Sequence, residues 1–296
     1  MNAVRDTGAA AGSTSADGLG GLGFVLLWST GYVAAVYALE GTGAYTLAVL
    51  RFVATAAIIG AWVMFLRLPR ARPVALAHAA IGGVLLQSGF FGFTYAGLRA
   101  GVPPAAAGLI AGLMPLTTAL GARVLLGERM GRGAVFGLLL GLLGVLLVVV
   151  PDLRAPETRV GYVFVILALL SLSLGTLYQK RHAGELDARV ALIAQVVAAA
   201  AVVLPFAWVL EGIDLHLTPR AIGGLAWVIV VNSCAGLLLY LWLLKRGAAG
   251  RVASVFFLVP PVTAVLTAVF LGARFTAPDA AGFALAAVGV WLGQRG

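Results

Sequence analysis

Ten apolar stretches, separated by junctions of only a few residues, constrain this chain more than any other feature. A hydrocarbon core about 30 Å thick takes roughly 20 residues of helix to cross. Breaking the chain at its charged or Pro/Gly-rich junctions gives stretches at 20–39, 44–66, 74–97, 102–126 and 132–150. A second set follows at 161–179, 189–210, 220–244, 250–271 and 277–294. Only 10% of the residues are charged and 61% are hydrophobic. A soluble domain carries about 25% charged residues, so too few polar side chains exist here to cover a water-facing surface. The expected fold is an all-α integral membrane protein with ten transmembrane helices, mostly antiparallel to their chain neighbours because the junctions are short.

The two sets repeat one another. A shift of 145 residues lays LMPLTTALGARVLLGERM (113–130) on LVPPVTAVLTAVFLGARF (258–275). Pro115 then meets Pro260, Thr118 meets Thr263 and Gly127 meets Gly272; further on, Gly137 meets Gly282 and Gly144 meets Gly289. Upstream, Ser88 meets Ser233 and Tyr95 meets Tyr240, while a shift of 144 pairs Ser29 with Ser173 and Gly31 with Gly175. Each half holds an odd number of helices, so the second enters the bilayer from the opposite side. Inverted repeats of this kind underlie alternating access in many secondary transporters. The expected division is a disordered cytoplasmic tail (1–18), a first five-helix repeat (19–151), a linker (152–160) and a second repeat (161–296).

The net charge of +9 would point to nucleic acid in a soluble chain, but here the basic residues sit in the junctions. Segments on one side hold Arg5, Arg67, Arg70, Arg72, Arg123, Arg129, Arg132, Lys180, Arg181, Arg189, Lys245, Arg246, Arg251 and Arg295. The other side holds Arg99, Arg154, Arg159, Arg220 and Arg274. The positive-inside rule places both termini in the cytoplasm and excludes nucleic acid as a partner. Cys234 is the single cysteine, which leaves no disulfide framework and no Cys-rich metal site.

Polar residues at membrane depth mark a candidate cavity, since transporter sites lie near the midplane where Gly or Pro interrupts a helix. Pro115, Pro260 and Pro261 stand at matching mid-span positions and read as hinge or cavity backbone, or as packing kinks. Gln87, Phe91 and Tyr95 are spaced by four, hence on one face, as are Asn232, Gly236 and Tyr240. Gln87 and Asn232, equivalent in the repeat, are expected to face each other, either lining the cavity or joining helices. Trp28, Tyr32 and Tyr178 complete an aromatic lining suited to a flat, mostly neutral molecule. Trp62, Trp208 and Trp291 read as interfacial anchors.

Every acidic residue falls in a tail, a junction or a helix end, with Glu40, Glu128 and Glu211 all terminal. A carboxylate at membrane depth for ion coupling is therefore not visible, and uncoupled flux is expected. Arg51 lies well inside the second stretch. It reads as snorkelling outward, as pairing with Glu40, or as attracting a substrate carboxylate. His78 reads as a solvated histidine near a helix end. No paired Asp, Ser–His set or His/Cys cluster at this depth supports catalysis or a metal, so neither an enzyme nor a cofactor is expected. The glycines at 137, 141 and 144 suit either a dimer contact or internal packing, leaving oligomeric state open.

These residues resemble the drug/metabolite transporter superfamily, specifically its ten-helix EamA-type members. The resemblance rests on Trp28, on the Arg51–Phe52 pair, and above all on the run from Pro115 to LLGERM (125–130) with the glycine-punctuated stretch that follows. LGAR (271–274) departs from the pattern, with Ala273 where the family often repeats the glutamate seen at Glu128. The resemblance implies export of metabolites or amino acids across a bacterial inner membrane. It also implies a central cavity among helices 1, 3, 4, 6, 8 and 9. The aromatic lining is similar to that of the aromatic amino acid exporter branch. A multidrug or other-metabolite exporter of the same fold is the main alternative, and a membrane scaffold or intramembrane enzyme a remote one.

Overall fold

A computed structural model describes residues 7–66, 68, 71–182, 186–213, 215–236, 238–239 and 258–295, with side-chain environments from residue 20 to 293. Seven described helices are long and apolar enough to cross a membrane: α1 (Thr7–Leu39, apolar from Gly20), α2 (Ala44–Met64), α3 (Pro73–Arg99), α4 (Pro104–Leu126), α5 (Arg132–Asp152), α6 (Pro156–His182) and α7 (Ala188–Glu211). Three shorter apolar helices follow: α8 (Pro219–Ala235), α9 (Val259–Leu271) and α10 (Ala277–Arg295). These match the ten stretches in order. The inner parts of the eighth and ninth, including Tyr240, lie outside the described residues. The helix α1 begins at Thr7, so it continues through most of the segment expected to be a disordered tail. The alanine run 9–11 there favours helix.

Large apolar side chains such as Val124, Val209 and Phe136 are exposed around the outside, as a bilayer-facing surface requires. The packing pattern survives exchange of the two halves. The helix pairs α5/α10, α2/α7 and α4/α9 each join equivalents, while α3/α6 is matched by α8/α1 and α4/α6 by α9/α1. The pair α5/α10 shows the principle at residue level. A Cβ on Gly144 would lie 2.5 Å from the Gly282 carbonyl oxygen, and one on Gly289 would lie 2.5 Å from that of Gly137. Only glycine lets these backbones meet. The small-residue face of α5 therefore serves internal packing.

Local punctuation repeats as well. The helix α4 breaks at Leu113 (φ −75°, ψ −2°), and Leu258, its equivalent, precedes α9 with φ −82°, ψ −13°. Pro115 and Pro260 fall in the first turn after each break, where a missing N–H costs nothing. Both segments end on a left-handed glycine, Gly127 (φ 70°) and Gly272 (φ 66°). The following N–H closes on a carbonyl six residues back in each, Glu128 to Ala122 and Ala273 to Thr267. In α3 and α8 the backbone widens to i→i+5 bonding over Val84–Gly92 and Trp227–Ala235, at overlapping positions of the repeat.

Two ends of the bundle can be distinguished. The basic end carries the described junction residues 65–66, 71–72, 127–131 and 186–187, and there Lys180 bridges Glu128 at 2.8 Å. The far end carries 40–43, 100–103, 212–213 and 215–218, where the His216 N–H donates to the Gly41 carbonyl and Thr42 pairs with Leu215.

Candidate functional site

The helices α1, α2, α3 and α8 surround a narrow cleft lined mainly by aromatic and other apolar side chains, the lining usual for small-molecule sites. The stripe Phe24, Trp28, Tyr32, Ala35 of α1 forms one wall. Phe90, Phe91 and Tyr95 of α3 form another, and Asn232 of α8 and Gly236 just beyond it close the ring. The rings are in contact: Trp28 stacks on Phe90 with centroids 5.8 Å apart, and Phe90 meets Phe91 edge-on at 4.7 Å.

Arg51 enters this cleft from α2. Only 6% of the residue is exposed. Its Nε donates to the Ser233 Oγ at 2.9 Å and its Nη1 to the Tyr95 Oη at 2.7 Å. The guanidinium carbon lies 3.6 Å above the centre of the Phe91 ring, a cation–π contact. The side chain neither snorkels outward nor pairs with Glu40; among the described residues it makes no ion pair. A guanidinium has five N–H donors, and among the described residues two of them are used. A buried cation of this kind calls for an anionic partner.

The cleft thus brings together Trp28, Tyr32, Arg51, Phe91, Tyr95 and Asn232 from the sequence-predicted set. Gln87 is turned elsewhere. Its Nε2 donates to the Gln195 Oε1 on α7 at 3.4 Å, while the Asn232 amide donates to the Leu27 carbonyl on α1. The two carboxamides therefore do not face each other, and each joins its own helix pair. The widened backbone over Val84–Gly92 explains the departure, because i→i+5 bonding rotates Gln87 out of line with Phe91 and Tyr95.

Tyr178 also lies away from the cleft, near the basic end of α6. Its hydroxyl pairs with the His78 Nδ1 at 2.8 Å, and its ring stacks on His182 at 4.3 Å. His78 and His182 stack on each other at 4.6 Å. Pro260 packs against Gly112 across the α4/α9 contact; neither it nor Pro115 nor Pro261 lines the cleft. Residues that sequence reasoning did not select include Phe24, Phe90, Thr94 and Ser233. Ser233 carried one signal, its repeat equivalence to Ser88.

Comparison with known proteins follows the same two-part division. The family model described as "EamA-like transporter family" matches residues 18–150 and again 159–293. Over 294 residues the chain is 29% identical to a "Probable amino-acid metabolite efflux pump" of Salmonella typhimurium, covering 95% of each. Over 228 residues it is 26% identical to "Uncharacterized transporter YvbV" of Bacillus subtilis, covering 77% of this chain and 73% of that one. A solved crystal structure superposes with a TM-score of 0.63 at 24% identity, covering 94% of this chain and 97% of that one.

Proposed function

The chain belongs to the EamA-like transporter family, and on that premise we propose that it exports small neutral metabolites, aromatic and other neutral amino acids foremost. The observation that carries this reading is Arg51, a buried cation in an aromatic cleft with no carboxylate beside it among the described residues. A free amino acid supplies a carboxylate, and the rings of Trp28 and Phe91 offer stacking partners to an aromatic side chain once the cleft opens. The printed name of the Salmonella relative supports the same substrate class.

The mechanism proposed is alternating access. The exchangeable packing of the two halves supports it, since such halves have two near-equivalent arrangements, one open to each side. The helix breaks at Leu113 and Leu258 are the proposed hinge backbone, with Pro115, Pro260 and Pro261 beside them. Loop charge supports a cytoplasmic basic end, and the bacterial relatives support a bacterial inner membrane.

Flux in proteoliposomes tests the reading. Phenylalanine should move saturably without a pH gradient, and phenethylamine, which lacks the carboxylate, should compete at least about tenfold less well. Arg51→Gln should abolish that difference. Absence of saturable amino-acid flux sinks the substrate assignment, and expulsion of toxic cations in its place would favour the multidrug alternative. Strict dependence on the gradient sinks the uncoupled mechanism.

A further inference from the structure

A second concavity lies on the opposite face of α1. Val33, Ala34, Gly223 and Gly224 floor a groove between α1, α8 and α9 at the far end, with about 770 Å³ of empty space and walls of Leu266 and Phe270. The cleft uses Trp28, Gly31, Tyr32 and Ala35 of α1, whereas the groove uses Thr30, Val33, Ala34 and Tyr37. These are two stripes of one helix. Exposed Ile222, Trp227, Val230 and Phe270 border the groove, so it opens towards lipid and away from the transport path.

Its polar atoms are already satisfied within the protein. The Trp227 Nε1 donates to the Thr30 Oγ1 at 3.1 Å, the Thr30 hydroxyl to the Leu27 carbonyl at 2.8 Å, and the Tyr37 hydroxyl to the Phe270 carbonyl at 2.7 Å. What remains is hydrocarbon surface, plus the guanidinium of Arg220 in the first turn of α8. Arg220 makes no ion pair among the described residues. An apolar slot at membrane depth, with a cation where the helix reaches the interface, matches a phospholipid in both parts.

We propose that the groove binds one anionic phospholipid of the leaflet at the far end, its phosphate on Arg220 and an acyl chain running along α1 towards Trp227. The slot extends from Tyr37 to Thr30, about 10 Å at 1.5 Å per helical residue, enough for the upper part of a chain. Because α1 belongs to the first half while α8 and α9 belong to the second, the lipid bridges the seam that alternating access would shift. The binding itself does not depend on which small molecule the cleft carries.

Native mass spectrometry of the full-length protein in detergent, with equimolar dioleoylphosphatidylglycerol and dioleoylphosphatidylcholine, tests this. One phosphatidylglycerol per chain should be retained, in preference to phosphatidylcholine by about tenfold. Arg220→Gln should erase the preference. Gly223→Leu should displace lipid of either kind, because a Cβ at Gly223 meets no atom within 4 Å and the side chain enters the slot without moving backbone. Equal retention of the two lipids by the wild type overturns the proposal, as does retention unchanged in both variants.

Discussion

The groove between α1 and α8 has a counterpart at the other end of the molecule, between α6 and α3, and the two are built differently. The repeat shifts pair Ala34 with Tyr178, Ala38 with His182 and Gly223 with His78. At the far end these small residues let helices touch backbone to backbone: a Cβ on Gly224 would lie 2.5 Å from both the Ala34 carbonyl oxygen and the Ala38 nitrogen. At the basic end the same positions carry three stacked rings joined by the His78–Tyr178 hydrogen bond. One seam is closed by backbone contact and leaves a groove beside it. The other is filled by polar side chains. Two-fold symmetry of the chain trace thus coexists with opposite chemistry at its two ends.

The contrast extends to the helix starts. At the far end, the first amides of α2 are capped from the other half of the molecule. The Glu211 carboxylate accepts the Tyr45 N–H at 2.9 Å, the Thr46 N–H at 2.7 Å and the Thr46 hydroxyl at 2.8 Å. Gly43 packs directly against that carboxylate, leaving no room for a side chain. At the basic end α7, the equivalent of α2, is capped by its own Asp187 through the Arg189 N–H at 2.9 Å. A cap in trans ties the halves together, and a cap in cis does not.

The largest effect expected is at the backbone contact. Gly224→Leu forces a side chain where not even a Cβ fits, and overpacking of this kind costs on the order of 3 kcal/mol. Its repeat equivalent, Ala79→Leu, falls where a half-buried Cβ already stands, and a cost under about 1 kcal/mol is expected. Thermal unfolding of both variants in detergent measures the difference. Equal losses would mean that the two seams are equally close, and the comparison would break.

Next in size is the cap in trans. Glu211→Gln removes the charge and presents an amide N–H₂ to donors, at a cost of about 1.5–3 kcal/mol. Hydrogen exchange should speed up at the Tyr45 and Thr46 amides. An unchanged melting temperature with unchanged exchange would show that α2 is held by packing alone.

Much of this architecture is legible in the sequence, for identifiable reasons. Span positions follow from hydropathy, which needs no partner. Repeat equivalence foretells matching features: Ser29 donates to Val259 on α9, and its equivalent Ser173 pairs with Thr117 on α4. Gly127 and Gly272 end their helices alike. Equivalence does not say which partner a side chain meets. Regular i, i+4 spacing points Gln87 at the cavity and aromatic character points Tyr178 there, and neither foresees a widened backbone or a histidine on a neighbouring helix. The Arg51–Ser233 bond spans 182 residues of chain, beyond any local pattern.

The smallest effect expected is at the cap in cis, and its pH dependence separates it from the cap in trans. Hydrogen bonds from Arg189, first through its side chain at 2.7 and 2.8 Å, hold the Asp187 carboxyl below the usual aspartate range. A carboxyl whose value is lowered by folding stabilises the fold fully above its unfolded value, about 3.9. That contribution fades as pH falls through the lowered folded value. The melting temperature of the wild type minus that of Asp187→Asn should therefore be constant from neutrality down to about pH 4 and shrink below it. Because Asp187 is partly exposed, solvent screening keeps the difference small, well under that of Glu211→Gln. Amides of α2 should exchange at the same rate in Asp187→Asn as in the wild type. Faster exchange there would mean that the α7 cap also reaches across the halves, and the distinction between the two ends would fail.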